Sequence, residues 1–142
     1  MYVAEARRLT AAGAKKILST AIARAQEAGV AITVAIVDAG GHLVLLERMD
    51  GGRFHTVHSA TTKAVCAASN RRATGATGAT GNTLDVAHAL GLALAAGSER
   101  WTAMEGGAPI LVGEECIGGV GVAGGDWKFD ERVAKEAAES IR

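Results

Sequence analysis

The amino-acid sequence predicts an α+β domain in which helices cover an antiparallel sheet. Two stretches each contain a pair of apolar runs separated by turn-forming residues, which is typical of a β-hairpin. The segments before, between and after these stretches repeat apolar residues at spacings of three and four, which is typical of amphipathic helices. The predicted order is helix, hairpin, two helices, hairpin, helix, and the 142 residues fit one domain spanning 1–142.

The composition argues against two classes of partner. Fifteen Lys and Arg residues balance fifteen Asp and Glu residues, and aromatic residues make up only 4% of the chain, so neither charge nor base stacking favours nucleic acid. The first residues, MYVAEARRLTAAG, contain no apolar signal segment, and no apolar run approaches the roughly 20 residues of a membrane span. We therefore expect a cytoplasmic protein without a membrane partner. Cys66 and Cys116 stand in no metal or redox motif and are expected to be buried thiols.

The first element is predicted as a helix over about residues 11–28. Its apolar residues recur at helical spacing and are Ile17, Leu18, Ala21, Ile22 and Ala25. Thr10 is suited to accept a hydrogen bond at the N-terminus, and Gly29 is suited to the left-handed conformation that ends many helices.

The first hairpin is predicted from about Ile32 to Arg48. Val34–Val37 and Leu43–Leu46 are apolar runs, and Asp38–Gly41 between them has turn chemistry. Since neither run alternates cleanly, both strands are expected to be covered on two faces. The charged residues that follow, Glu47, Arg48 and Asp50, therefore mark the place where the second strand leaves the core.

The middle of the chain predicts two helices joined by a loop. Residues 54–71 have an apolar stripe to which His55 and Lys63 do not belong. The imperfect Ala-Thr-Gly repeat over residues 73–81 has no regular periodicity and is expected to be a mobile loop. Asn82 or Thr83 is the expected cap of a helix over residues 84–96 that is apolar nearly all round.

The last third of the chain repeats the pattern of the first hairpin, with two apolar runs around a turn. Strands are predicted at residues 109–112 and 116–122 around the turn Gly113-Glu114-Glu115, and the glycines of the second strand indicate a close backbone approach. A terminal amphipathic helix is predicted over residues 130–142.

Several separated motifs resemble the GlcG/HbpS family, which includes the C-terminal domain of PduO-type corrinoid adenosyltransferases. The motifs are VAIVDAGGHLVLLERMDGG, the A-x-x-K-A element around Lys63, EGGAPI from Glu105, IGGVGVAGG from Ile117 and the D-x-x-V-A-K helix from Asp130. The resemblance implies a profilin-like fold with a five-stranded antiparallel sheet and helices on its faces. It also implies assembly into multimers and binding of haem or a related tetrapyrrole, with haem degradation ascribed to a few members.

Two charged clusters are candidate sites. Arg48, Asp50 and Lys63 could bind an anion, because Arg offers a planar fork for a carboxylate and Asp can hold that fork in place. The alternative is a structural salt bridge at a strand end. Glu105, in a flexible turn before a strand, could line a pocket or only turn the chain.

His55 and His58 are the candidate metal or haem ligands and the candidate acid–base groups. Three residues apart, they would share one face of a helix that starts early. A third ligand, such as Glu47, Asp50 or His88, would have to come from elsewhere. The alternative is a pair of ordinary exposed histidines near a helix start. His42 is expected in solvent, and His88 is expected to be a hydrogen-bonded interface residue.

The leading functional hypothesis is binding of a small ligand near a subunit interface. The resemblance favours haem or another tetrapyrrole, with His55, His58, Asp50 and Glu105 as its candidate contacts. The alternative is a lyase, isomerase or hydrolase in which Arg48 and Lys63 hold a carboxylated or carbonyl substrate and His55 or His58 moves a proton. A third hypothesis is a non-catalytic assembly module accompanying a larger enzyme.

Self-association is predicted from the helix at residues 84–96. Its apolar residues point in every direction around the helix axis, and a small domain cannot cover all of them. We therefore expect a homo-oligomer with this helix at the contact and the ligand pocket nearby.

Overall fold

The protein forms one four-stranded sheet with four helices. The computed structural model describes residues 1–142, and its elements in chain order are α1 (Ala11–Ala28), β1 (Thr33–Asp38), β2 (Leu43–Arg48), α2 (Thr56–Asn70), α3 (Val86–Ala96), β3 (Gly107–Val112), β4 (Glu115–Ala123) and α4 (Trp127–Glu139). The predicted order of helices and hairpins is therefore the observed order. No helix combines the length and the apolar character that crossing a membrane would require.

The expected five-stranded, profilin-like sheet is wrong. The strands lie in the order β2-β1-β4-β3, and all neighbours are antiparallel. Residues 1–10 form no strand, and the segment between α2 and α3 contributes only an isolated bridge between Thr77 and Thr83. At one edge, Pro109 in β3 lacks the backbone N–H with which a further strand would pair.

The larger part of the core lies between one face of the sheet and the pair α1 and α4. Ile17 on α1, Val120 and Val122 on β4, and Val133 on α4 are fully buried there. The sequence places α1 correctly because both of its ends are chemically marked. The Thr10 hydroxyl accepts a hydrogen bond from the Gly13 N–H at 3.0 Å, and Gly29 adopts φ +68°.

Helix α2 lies directly on the opposite face, against β4. A methyl group added at Gly119 or Gly121 would meet the backbone carbonyl oxygen of Ala64 or Ala60, respectively. The missing side chains on β4 therefore let the backbone of α2 approach the backbone of the strand. This contact is the close approach that the glycine-rich sequence predicts.

Strand β2 differs from its prediction because it is an edge strand. None of its six residues is buried, whereas the first five residues of β1 are all buried. The prediction that both faces are covered is therefore confirmed for β1 and wrong for β2. Arg48 is exposed and pairs in register with Thr33 at the end of this edge.

Helix α3 begins two residues later than predicted and is capped by Asp85, whose carboxylate accepts a hydrogen bond from the His88 N–H at 2.8 Å. Asn82 and Thr83 are not the cap, because the chain up to Leu84 belongs to the preceding loop. The Leu84 N–H donates to the Ala76 carbonyl at 2.7 Å.

The terminal helix also begins at a different residue. Helix α4 starts at Trp127 instead of Asp130, because Asp126 caps it by accepting from the Phe129 N–H at 2.9 Å. Asp130 therefore lies inside the first turn of the helix.

The close contact between α2 and β4 predicts a large effect of a single methyl group. Gly121→Ala should lower the free energy of unfolding by about 3 kcal/mol, because the added methyl group must displace the backbone of α2. Urea denaturation followed by circular dichroism measures this change. Gly13→Ala is the matched control, since its methyl group would meet only side-chain atoms of Leu9 and Thr10 at 3.2 and 3.4 Å. It should stay within about 1 kcal/mol of the wild type. Equal stabilities for the two variants would contradict the packing.

Candidate functional site

The main concave feature is an open groove of about 810 Å³ beside the N-terminal half of α2. One wall is α2 and the opposite wall is α3, while the loop between α3 and β3 and the junction between β4 and α4 complete the lining. The lining combines apolar side chains with hydroxyl, imidazole and charged groups. The groove therefore offers both the apolar surface and the few polar groups typical of a small-molecule site.

Hydrogen bonds from α2 hold the loop that follows α3. The Thr62 hydroxyl donates to the Ser98 carbonyl at 2.9 Å, and the Cys66 thiol approaches the Thr102 carbonyl at 3.6 Å. Trp101, between these two anchor points, is buried and lines the groove. The same helix thus supplies one wall and fixes the position of the loop beside it.

A buried ion pair lies at the floor of the groove. The Lys63 amine donates to the Val122 carbonyl at 2.9 Å and to the Asp130 carboxylate at 3.4 Å. The second oxygen of Asp130 accepts from the Gly125 N–H at 3.0 Å. Each of the two charged residues is only 4% exposed, so the pair links α2, β4 and α4 inside the protein.

Burial disfavours the charged form of both partners. It lowers the pKa of the Lys63 amine, and the charges of Asp130 and Glu105 oppose that shift only in part. It raises the pKa of the Asp130 carboxyl group, with Lys63 and the Gly125 N–H as the main opposing influences. Burial therefore weakens the preference for the charged form of each partner.

The sequence motif EGGAPI explains how β3 begins next to this pair. Gly106 has φ +117°, and a methyl group on it would lie 3.0 Å from the Lys63 amine nitrogen and would also press on the Val122 carbonyl. At the next residue, the Gly107 N–H donates to the Thr74 hydroxyl at 2.8 Å. Gly106 thus leaves room for the lysine head group, and Gly107 lets the start of β3 approach the backbone of α2 at Lys63.

The structure brings His55 and His58 to the same groove. His55 precedes α2 with helical dihedral angles, so the early helix start that their pairing required is present. Both side chains are exposed and line the groove. Neither imidazole ring makes a hydrogen bond or an ion pair within residues 1–142, although the His55 ring meets Phe54 edge-on at 6.2 Å. Their ring nitrogens are therefore available to a ligand.

Helix α3 supplies the apolar wall opposite the histidines. The residues on its groove side are Val86, Ala89, Leu90 and Ala93, and Trp101 and Met104 continue this surface along the loop that follows. No residue of α3 is buried in the chain. The wall is thus apolar but only loosely attached to the rest of the domain.

The predicted trio of Arg48, Asp50 and Lys63 is not assembled. Arg48 and Asp50 are exposed, make no ion pair and lie outside the groove lining, whereas Lys63 is paired with Asp130. The exposed guanidinium that does line the groove belongs to Arg53, which makes no ion pair. Glu47 is also exposed and outside the groove.

Glu105 lies in a neighbouring depression of about 490 Å³ that also includes Arg71, Trp127 and Glu131. Its negative charge partly opposes the lowering of the Lys63 pKa by burial. Residues 1–142 contain no group of three or more His, Cys, Asp or Glu side chains arranged to hold a metal ion.

The two remaining histidines and both cysteines lie outside the lining of the groove. His42 is exposed and its ring contacts Asp38 at 3.2 Å, while the ring of His88 contacts Asp85 at 3.0 Å. Both cysteines are free thiols, and Cys66 is buried whereas Cys116 is half-buried.

Sequence reasoning did not identify Asp130 and Arg53 as site residues. The sequence predicts Asp130 at the start of a helix, and its partner Lys63 lies 67 residues earlier in the chain. The available signal was a lysine within the small-residue sequence of α2, which is a position where a charged residue needs a buried partner. For Arg53 the only signal was its position just before the two histidines.

Comparisons with known proteins agree with this architecture. The Klebsiella pneumoniae protein ORFY superposes with a TM-score of 0.84 at 29% identity, over 99% of this chain and 96% of its own. The crystal structure of a PduOC–haem complex superposes with a TM-score of 0.82 over 96% of each chain, and at 24% identity this is a likeness of fold.

The sequence comparisons point to the same group. An uncharacterised 15.0 kDa protein from the dhaT–dhaS intergenic region of Citrobacter freundii is 31% identical over 131 residues, which cover 92% of this chain and 90% of that protein. A family model described as haem-degrading protein HbpS-like matches residues 9–139. Since this match spans nearly the whole domain, the chain belongs to the HbpS-like family.

Proposed function

We propose that the protein binds haem or a related tetrapyrrole in the groove between α2 and α3. The observation that carries this proposal is the position of His55 and His58, whose unpaired imidazole rings line one side of the groove opposite an apolar wall. Membership of the HbpS-like family and the likeness in fold to a PduOC–haem complex support the same ligand.

The residues of the groove fit such a ligand. A volume of about 810 Å³ is within the range of roughly 300 to 1,000 Å³ common for small-molecule sites. The apolar side chains of α3 suit the flat face of a macrocycle, and a neutral imidazole is the usual protein ligand for haem iron. Arg53 can pair with a propionate carboxylate, because its guanidinium is exposed and has no partner in the chain.

Each part of the groove would contribute a separate function. A bound haem would supply an iron centre for ligand or redox chemistry. One histidine would coordinate the metal, Arg53 would orient the ligand edge, and Leu90 and Trp101 would limit access of water. Asp50 and Glu105 are not included, because neither lines this groove.

Substitution of the two histidines tests the proposal. Haemin titrated into the wild-type protein should give a saturable Soret shift at one haem per chain. The double variant His55→Ala/His58→Ala should bind at least roughly tenfold more weakly, because it removes both candidate iron ligands. Absorption spectroscopy measures both affinities.

His42→Ala is the matched control for this titration. His42 is also exposed but lies outside the groove, so its loss should leave haemin affinity unchanged. Non-saturable binding by the wild type, or equal affinities of the wild type and the double variant, would contradict the proposal.

We also infer that a second copy of the chain covers α3. Val86 and Leu94 are 84% and 76% exposed, and no residue of the helix is buried. The helix has no charged side chain, so an apolar surface is its natural partner, and every copy of the chain presents the same surface. Burying a leucine is worth about 1.5 to 3 kcal/mol, so a few such contacts per subunit favour association. This arrangement would also hold the outer wall of the groove in place.

Leu94→Glu tests the contact, since it places a charge on the exposed side of α3 away from the groove lining. The wild-type protein should scatter light as at least a dimer of the 14.4 kDa chain, and Leu94→Glu should shift it towards the monomer mass. Leu43→Glu is the matched control, because Leu43 is 55% exposed on β2, far along the chain from α3. A monomeric wild type would contradict the inference.

A further inference from the structure

One lysine differs from all the others in its surroundings. The chain has five lysines, and four of them, Lys15, Lys16, Lys128 and Lys135, are exposed. Lys63 is 4% exposed, yet its side chain and that of Asp130 both belong to the lining of the groove. Proposed haem binding gives this buried amine no role.

The hydrogen bonds around Lys63 are compatible with an uncharged amine. Its nitrogen has two acceptors, the Val122 carbonyl at 2.9 Å and the Asp130 carboxylate at 3.4 Å. A neutral amine has two N–H groups and one lone pair; one N–H donates to the Val122 carbonyl, and Asp130 accepts the other as a carboxylate or, once protonated, donates to the lone pair. The geometry therefore suits a nucleophile as well as it suits a cation.

Burial of the pair also favours the uncharged form of the Lys63 amine. Desolvation lowers the pKa of the Lys63 amine and raises the pKa of the Asp130 carboxyl group, so burial favours the proton on Asp130. The Glu105 carboxylate opposes this shift at Lys63. A desolvated lysine amine is the usual means by which proteins form covalent bonds to carbonyl compounds.

We propose that Lys63 is a nucleophilic amine that forms an imine with a small aldehyde bound in the groove. The amine lone pair attacks the carbonyl carbon, and the C–O double bond becomes the hydroxyl of a carbinolamine. The C–N double bond then forms as the C–O bond breaks. The two protons lost by nitrogen leave with the oxygen as water, and Asp130, within hydrogen-bonding reach of the amine, relays them. No oxidant or reductant takes part in this step.

The lining around the amine suits a short aldehyde whose carbonyl oxygen accepts a hydrogen bond. Ser59 lies one helical turn before Lys63 on the same side of α2, and Thr102 lies on the facing loop; both line the groove. Their hydroxyl groups can bond to the carbonyl oxygen or to a hydroxyl of the aldehyde. The reaction uses Lys63 and Asp130 and requires no haem. Its test is therefore independent of the test of haem binding.

Reductive trapping tests the proposal on the unmodified wild-type protein. The haem-free protein is incubated with butanal and sodium cyanoborohydride at neutral pH, and butylated lysines are located by peptide mass spectrometry. Early in the reaction Lys63 should be modified at least tenfold more than Lys128, because an exposed amine is almost entirely protonated under these conditions. Modification spread over the four exposed lysines with Lys63 unmodified would overturn the proposal.

Two variants separate nucleophilic reactivity from a structural role of the pair. Lys63→Arg keeps a cation near Asp130 and should abolish the early butylation, whereas Lys128→Arg should leave it unchanged. Asp130→Asn, where circular dichroism shows that it folds, should slow trapping at Lys63 at least tenfold. Undiminished trapping in folded Asp130→Asn would overturn the assigned role of Asp130, and early trapping in Lys63→Arg equal to that of the wild type would overturn the role of Lys63.

Discussion

The close approach of α2 to β4 is the constraint on which the rest of the structure depends. Gly119 and Gly121 have no side chains, so the backbone of the helix lies where methyl groups would otherwise stand. An ordinary strand residue at either position would hold the helix farther from the sheet. The glycine-rich sequence of β4 is therefore a requirement of packing.

This approach also determines the site. With α2 held against β4, Lys63 lies next to the end of the strand, where the Val122 carbonyl and the Asp130 carboxylate receive its amine. A buried charge without such partners would destabilise the fold by several kcal/mol, so the lysine and the aspartate depend on each other. Toward its N-terminus the same helix carries His58, and His55 immediately precedes the helix; both line the groove. Packing, the ion pair and the groove are thus consequences of one helix position.

The sequence predicts those elements whose determinants are local. The bounds of α1 are correct because Thr10 and Gly29 mark its ends, and the hairpins follow from apolar runs around turn residues. Long-range contacts explain the failures. The Leu84 N–H donates to the Ala76 carbonyl in the preceding loop, so α3 starts two residues later than predicted. The five strands that the family resemblance implies are not formed, because no further segment pairs with the edge strands β2 and β3.

The site shows the same division between local and distant determinants. The placement of the two histidines in one groove follows from their spacing on α2, whereas the burial of Lys63 depends on a carboxylate 67 residues away. A charged residue outside an apolar stripe is normally exposed, so the periodicity of α2 alone predicts that the Lys63 side chain lies in solvent. Arg48 was expected at the site because it ends a strand, but that strand is the edge of the sheet and lies outside the groove.

The most direct test of this account is the titration of Lys63 itself. Isotope-labelled lysine followed by NMR across the alkaline range reports the pKa of all five amines, and the Lys63→Arg variant assigns the signal of interest. Burial disfavours the charged form of Lys63, so its amine should have a pKa below the ordinary lysine value. Titration of all five amines together in the usual range of lysine would contradict it.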